Sequence, residues 1–183
     1  MMLMPTQESA FASWIPTYSI KSGITNTEGA AIYSFWFWFT NAIARPIWAL
    51  LGRYSVSQRA RIIVITLTFT SFLLVLLQYL ELYTLVCIIG PVVFGTMMAC
   101  FFTFCIALPL DNGFQNTIAN NANFILANAL GEGVINGSLG YLISIFGFKV
   151  MMIVVMISSI ASYCSFRGVI SSFKEDKGRE EGR

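Results

Sequence analysis

The stretch NNANFILANALGEGVINGSLGYLISIFG, residues 120–147, decides how the whole chain is read. It is long enough to cross a bilayer, which takes about twenty largely apolar residues in a helix. Yet it is interrupted by Asn121, Asn123, Asn128, Glu132 and Asn136. Asn128, Glu132 and Asn136 recur every four residues, with Asn121 seven before Asn128, so a helix puts them along one broad side. A carboxylate near mid-bilayer is costly and has to face a bundle interior or water rather than lipid. The other side carries Ala129, Gly133 and Gly137 at the same interval, then Gly140. Such a small-residue ladder lets a second helix come close. The stretch therefore reads as a membrane helix with one polar side and one packing side.

The rest of the chain agrees. Its 183 residues are 56% hydrophobic and only 11% charged, against about 25% charged in an ordinary soluble domain. A soluble fold of this size could not bury so much apolar side chain. Five segments reach membrane length: 28–51, 61–80, 82–108, 120–146 and 148–166. They lack the period-two alternation of membrane strands, so the expected class is an all-α integral membrane protein. Residues 1–166 form one transmembrane helical bundle in this reading, and 167–183, rich in Lys and Glu, form a charged disordered tail. The amino-terminal MMLMPTQESAFASW is too short and polar for a span of its own. Thr25 and Glu28 fit a capping box for the first span. Pro109, Asp111, Asn112 and Gly113 break the chain after the third, and the connections 81–83 and 147–149 are tight enough to force antiparallel neighbours. Gly95 and Ala99 repeat the small-residue spacing weakly in the third span.

Charge gives the orientation. Arg53, Arg59 and Arg61 follow the first span, and Arg167, Lys174, Lys177, Arg179 and Arg183 follow the last. The opposite connections hold Glu81 and Lys149. The positive-inside rule then puts the basic loop and the carboxy terminus in the cytoplasm of a multi-pass protein, in the plasma membrane or an internal one.

In the first span, Trp38, Asn41, Arg45 and Trp48 fall on one helical stripe. Arg45 can snorkel to the headgroups, or the stripe can line a polar cavity. Glu132 can pair with Arg45 or take a proton or cation, on a transport path or in a structural hydrogen-bond cluster. Histidine is absent, and Cys87, Cys100, Cys105 and Cys164 form no CxxC pair, so the cysteines read as small hydrophobes. Asn136-Gly137-Ser138 matches a glycosylation pattern but lies inside a span. Phosphate loops, nucleophile triads and nucleic-acid motifs are missing. The expectation is a non-enzyme whose partners are the lipid bilayer and a small polar solute, with no nucleic acid, no metal and no cofactor beyond a coupling proton or sodium ion.

Several stretches resemble one family. FASWIPTYSIKSGITNTEGAAIYSFWF (11–37), LLGRYSVSQRAR (50–61), GTMMACFFTFCIALPLD (95–111) and ALGEGVINGSLGYLI (129–143) are similar to the carboxy-terminal half of a major facilitator superfamily transporter. The nearest branch is the sodium-dependent glucose transporter-like and fucose-permease-like one, although Gly52 stands where that pattern often has an acidic residue. The resemblance implies a remnant of helix seven plus helices eight to twelve, with an amino-terminal six-helix bundle as the missing partner, so that the chain looks like a fragment. It implies secondary active transport by alternating access, with sugar symport as the leading expectation. Tyr18, Trp36, Asn41, Arg45, Asn128 and Glu132 match regions that face the cavity of that family. The alternative is a membrane scaffold or regulatory half-transporter with no cargo.

Overall fold

The computed structural model describes residues 3–50, 56–99 and 118–181. Everything regular in it is helical: α1 (Leu3–Lys21), α2 (Ala31–Leu50), α3 (Val56–Tyr79), α4 (Tyr83–Met98), α5 (Ile118–Phe146) and α6 (Val150–Glu181). Three of these are long and apolar enough to cross a bilayer, α3 over Arg61–Tyr79, α5 over Ile125–Phe146 and α6 over Val150–Gly168. This all-α, multi-span character fits a membrane protein. The five-span reading adds α2, whose Thr40, Asn41 and Arg45 lower its apolar content, and α4, a shorter apolar helix over Tyr83–Met98. Residues 100–108 of that third segment, with Cys100, Cys105 and the break at Pro109, lie outside the described residues, as does Arg53.

The turns explain the alternation of the helices. Gly23, with φ +76°, ends α1: its N–H donates to Ile20 O at 3.0 Å and the Ile24 N–H to Ser19 O at 3.1 Å. That pair of bonds is a Schellman stop, and its left-handed residue suits glycine. Glu81 repeats the motif after α3 with φ 60°, while Leu82 N–H reaches Leu77 O at 2.9 Å. Gly147, φ +82°, makes the tight turn between α5 and α6. The cap before α2 differs from the expected one: the Oδ1 of Asn26, not Thr25, accepts the Gly29 N–H at 2.9 Å, and the helix begins at Ala31. An Asn side chain closes such a turn readily.

The hub is α1, the segment that looks too polar for a span. It packs against α2, α4, α5 and α6. Nineteen residues give it a length of about 28 Å. Its apolar side chains are buried: Phe11 stacks on Phe94 at 4.6 Å, and Tyr18 meets Phe148 edge-on at 5.4 Å. Its polar ones bind neighbours. Gln7 Nε2 donates to Val155 O at 2.9 Å and to Ser159 Oγ at 2.5 Å, clamping α1 to α6. Pro16 cannot donate to Ala12 O, and Ser34 Oγ of α2 supplies that carbonyl with a bond of 2.8 Å instead. A helix with polar groups on several sides is stable in lipid only when other helices surround it.

Two bonds fix how α3 and α6 pair. Gln78 Nε2 donates to Lys149 O at 2.9 Å, and Thr68 Oγ1 reaches Ser159 O at 3.5 Å. This antiparallel register brings Arg61 and Arg167, both exposed, to the same end of the bundle. Arg59 lies two residues earlier in α3. The tail departs from the disordered reading: α6 runs as helix to Glu181. Glu175 with Arg179, and Lys177 with Glu181, stand four apart, a spacing that supports helix where low hydrophobicity alone predicts coil.

Candidate functional site

Polar side chains from three helices meet near the middle of the bundle. Glu132 sits fourteen residues from either end of α5. Asn128 Nδ2, one turn earlier, donates to its Oε1 at 3.0 Å. From α2 comes Asn41, only 1% exposed, whose Nδ2 donates to Glu8 Oε1 of α1 at 2.9 Å. Arg45 and Glu132 both stand close enough to Glu8 to act on its charge. The locus therefore holds two half-buried carboxylates, one half-buried and one buried amide, and the exposed Arg45 guanidinium at its edge. Asn128 Oδ1 and Asn136 Oδ1 are buried there without a hydrogen-bond partner among the described residues. Unused amide acceptors of this kind can take a hydroxyl or ammonium donor. Among the described residues no group of His, Cys, Asp or Glu is arranged to hold a metal ion.

The stripe on α2 is rotated from the one the spacing suggested. Phe37, Asn41, Ala44 and Trp48 are the buried residues, whereas Trp38 is 51% exposed and Arg45 is exposed as well. Successive helical residues are about 100° apart, so a shift of one position at two places swings the face while keeping Asn41 and Trp48. Close approach of α4 sets the choice. Trp48 Nε1 donates to Thr96 O at 2.9 Å, and a Cβ on Gly95 would strike the Phe37 carbonyl oxygen and Thr40 Oγ1. Gly95 is thus a point of close approach between α4 and α2.

The ladder on α5 behaves differently. A Cβ on Gly133 or Gly137 would meet nothing within 4 Å, and Ala129 is exposed; only Gly140 is covered, with Trp14 at 3.0 Å. Only 6% of the apolar stretch of α5 is buried within this chain. Its polar side leans on α1, and the small-residue side expected to pack faces outward. Asn123, near the start of α5, is exposed, and the side chain of Asn121 lies outside the described residues.

Two other sequence candidates lie elsewhere. Tyr18 is ten residues beyond Glu8, about 15 Å along α1. It is buried at the far end among Tyr83 and Phe148, near the turn that holds Lys149. Trp36 is 44% exposed and borders an apolar cleft between α2 and α4 rather than the polar cluster. Conversely, Glu8 escaped the sequence reading because MMLMPTQESAFASW shows no apolar period. Its one available signal was a lone carboxylate three residues before the apolar run that begins FASW.

No family profile, curated protein or solved structure matches the chain.

Proposed function

We propose that this chain is the carboxy-terminal membrane part of a secondary active solute carrier of the major facilitator type, and that Glu8, Asn41, Arg45, Asn128 and Glu132 line its solute route. The observation that carries the reading is the pairing of Glu8 with Asn41 across α1 and α2, within electrostatic reach of the Asn128–Glu132 pair on α5, with Arg45 exposed at the edge. Carriers bind substrate near the bilayer midplane, where polar groups are otherwise too costly to keep. Paired amides with free acceptor oxygens suit a hydroxylated, sugar-like solute. The two carboxylates offer a place for a coupling proton or sodium ion.

The outward side of α5 supports a second bundle as partner. Gly133 and Gly137 have open space before them, and Leu126, Leu130 and Val134 beside them are exposed. The small-residue ladder suits close helix contact there. In this reading the end with Arg61 and Arg167 is cytoplasmic, together with the carboxy terminus, by the positive-inside rule.

The test uses the full-length carrier in cells, with radiolabelled sugars and polyols offered over a range of pH and sodium. Glu132→Gln lowers uptake while surface abundance stays at the wild-type level. Unchanged uptake at every pH and sodium concentration removes Glu132 from the route.

A further inference from the structure

Two arginines stand level at one end of the α3–α6 pair, apart from the polar cluster. The bonds from Gln78 to Lys149 O and from Thr68 to Ser159 O set the register, ten residues forward on α3 matching ten back along the chain of α6. Seven residues before Thr68, the same register puts Arg61 level with Phe166, next to Arg167. Seven residues make about two turns, so Arg61 shares the stripe of α3 whose Thr68 hydroxyl touches α6. Arg167 follows Lys149 by about five turns and so lies on the line of α6 that Gln78 touches. The helices stay packed at that level, since Ile63, Val64 and Phe166 are buried while both arginines are exposed. Packed helix axes are about 8–10 Å apart, within the joint reach of two arginine side chains. Like charges so close repel, and the described carboxylates lie elsewhere: Glu28 and Glu81 at the other end, Glu8 and Glu132 in the polar cluster. Along α6 the first acidic residue after Arg167 is Glu175, about 12 Å further on.

We propose that Arg61 and Arg167 together bind the phosphate of an anionic phospholipid whose acyl chains lie along the exposed faces of α3 and α6. Three observations select that occupant. A guanidinium presents a fork of N–H donors that matches phosphate oxygens, and a phosphate between two of them relieves their repulsion. Next to the arginines, toward the bilayer centre, the exposed side chains are apolar: Ile65 and Phe72 on α3, Ile153 and Ile160 on α6. A soluble anion gains nothing from that wall, whereas acyl chains cover it. Third, in the orientation proposed above this end faces the leaflet that carries anionic lipids. A zwitterionic headgroup brings its own cation against the arginines and is the poorer match.

The experiment places the purified chain in phosphatidylcholine nanodiscs containing a minor share of photoreactive phosphatidylglycerol, or of the matching photoreactive phosphatidylcholine, and maps adducts by mass spectrometry. The phosphatidylglycerol probe is expected to label α3 and α6 around Ile65 and Ile160 well above the phosphatidylcholine probe. Arg61→Gln and Arg167→Gln each lower that ratio about fivefold, the share of one interfacial basic residue, and the double variant abolishes the preference. Lys21→Gln removes one charge at the opposite end and leaves the ratio unchanged. All three positions are exposed, so none of these substitutions disturbs the packing. The proposal is overturned by equal labelling with both probes, by a preference that survives the double variant, or by a Lys21→Gln that lowers it as much as the arginine variants do. Displacement of the lipid probe by inorganic phosphate also overturns it, since the site then takes a soluble anion. None of these readouts depends on transport.

Discussion

The sharpest test of the fold compares one substitution at two glycines. Gly95→Ala puts a methyl group against the Phe37 carbonyl oxygen, which is backbone and cannot rotate away, so α2 and α4 have to separate. Overpacking of this kind costs about 1–3 kcal/mol. Gly137→Ala puts the same methyl group into open space. Both changes replace glycine in a helix and gain about 0.5–1 kcal/mol of backbone entropy and propensity. That gain cancels between the two variants, so their difference isolates the steric contribution. Gly95→Ala is expected to fall about 1–3 kcal/mol below Gly137→Ala. The assay is unfolding of the purified chain in mixed detergent micelles, followed by circular dichroism, with both variants and the wild type measured side by side. Equal stability of the two variants, or a Gly95→Ala more stable than Gly137→Ala, would refute the close α2–α4 approach. With it would go the rotated stripe that buries Phe37 and Ala44.

Other outcomes follow from named contacts. Glu81 holds a left-handed φ that costs a non-glycine residue about 1–2 kcal/mol, so Glu81→Gly raises stability in the same assay and Gly23→Ala lowers it; reversed signs would contradict the two Schellman stops. Asn41→Leu leaves Glu8 without its amide donor and lowers stability by about 1–3 kcal/mol. In a double-mutant cycle, Glu8→Gln and Asn41→Leu should be coupled by about 0.5–3 kcal/mol; strict additivity would mean that the 2.9 Å bond between them contributes nothing. Gln7→Leu removes both bonds to α6 and is expected to destabilise the chain, as read by an earlier micelle unfolding midpoint.

The α-helical class, the long apolar helices and the break at Gly147 follow from composition and local chemistry, since each is decided within a few residues along the chain. So does the demand that Asn128 and Glu132 avoid lipid, because that cost depends on the side chain and not on its neighbours. The partners that meet the demand do not follow. Segment 28–51 carries Ser34, Thr40, Asn41 and Arg45, but their spacing alone does not decide which of the residues between them share the buried face. Gly95 and Trp48 make that choice at α4, turning Trp38 outward. The central place of α1 is the clearest case. Its own sequence looks like a surface segment, because the groups that satisfy Gln7, Glu8 and Ala12 O come from Val155, Asn41 and Ser34, far away along the chain. Local sequence reports what each helix cannot tolerate; only the assembled bundle shows which distant residue relieves it, since hydrogen-bond partners and close backbone contacts exist only once the helices are side by side.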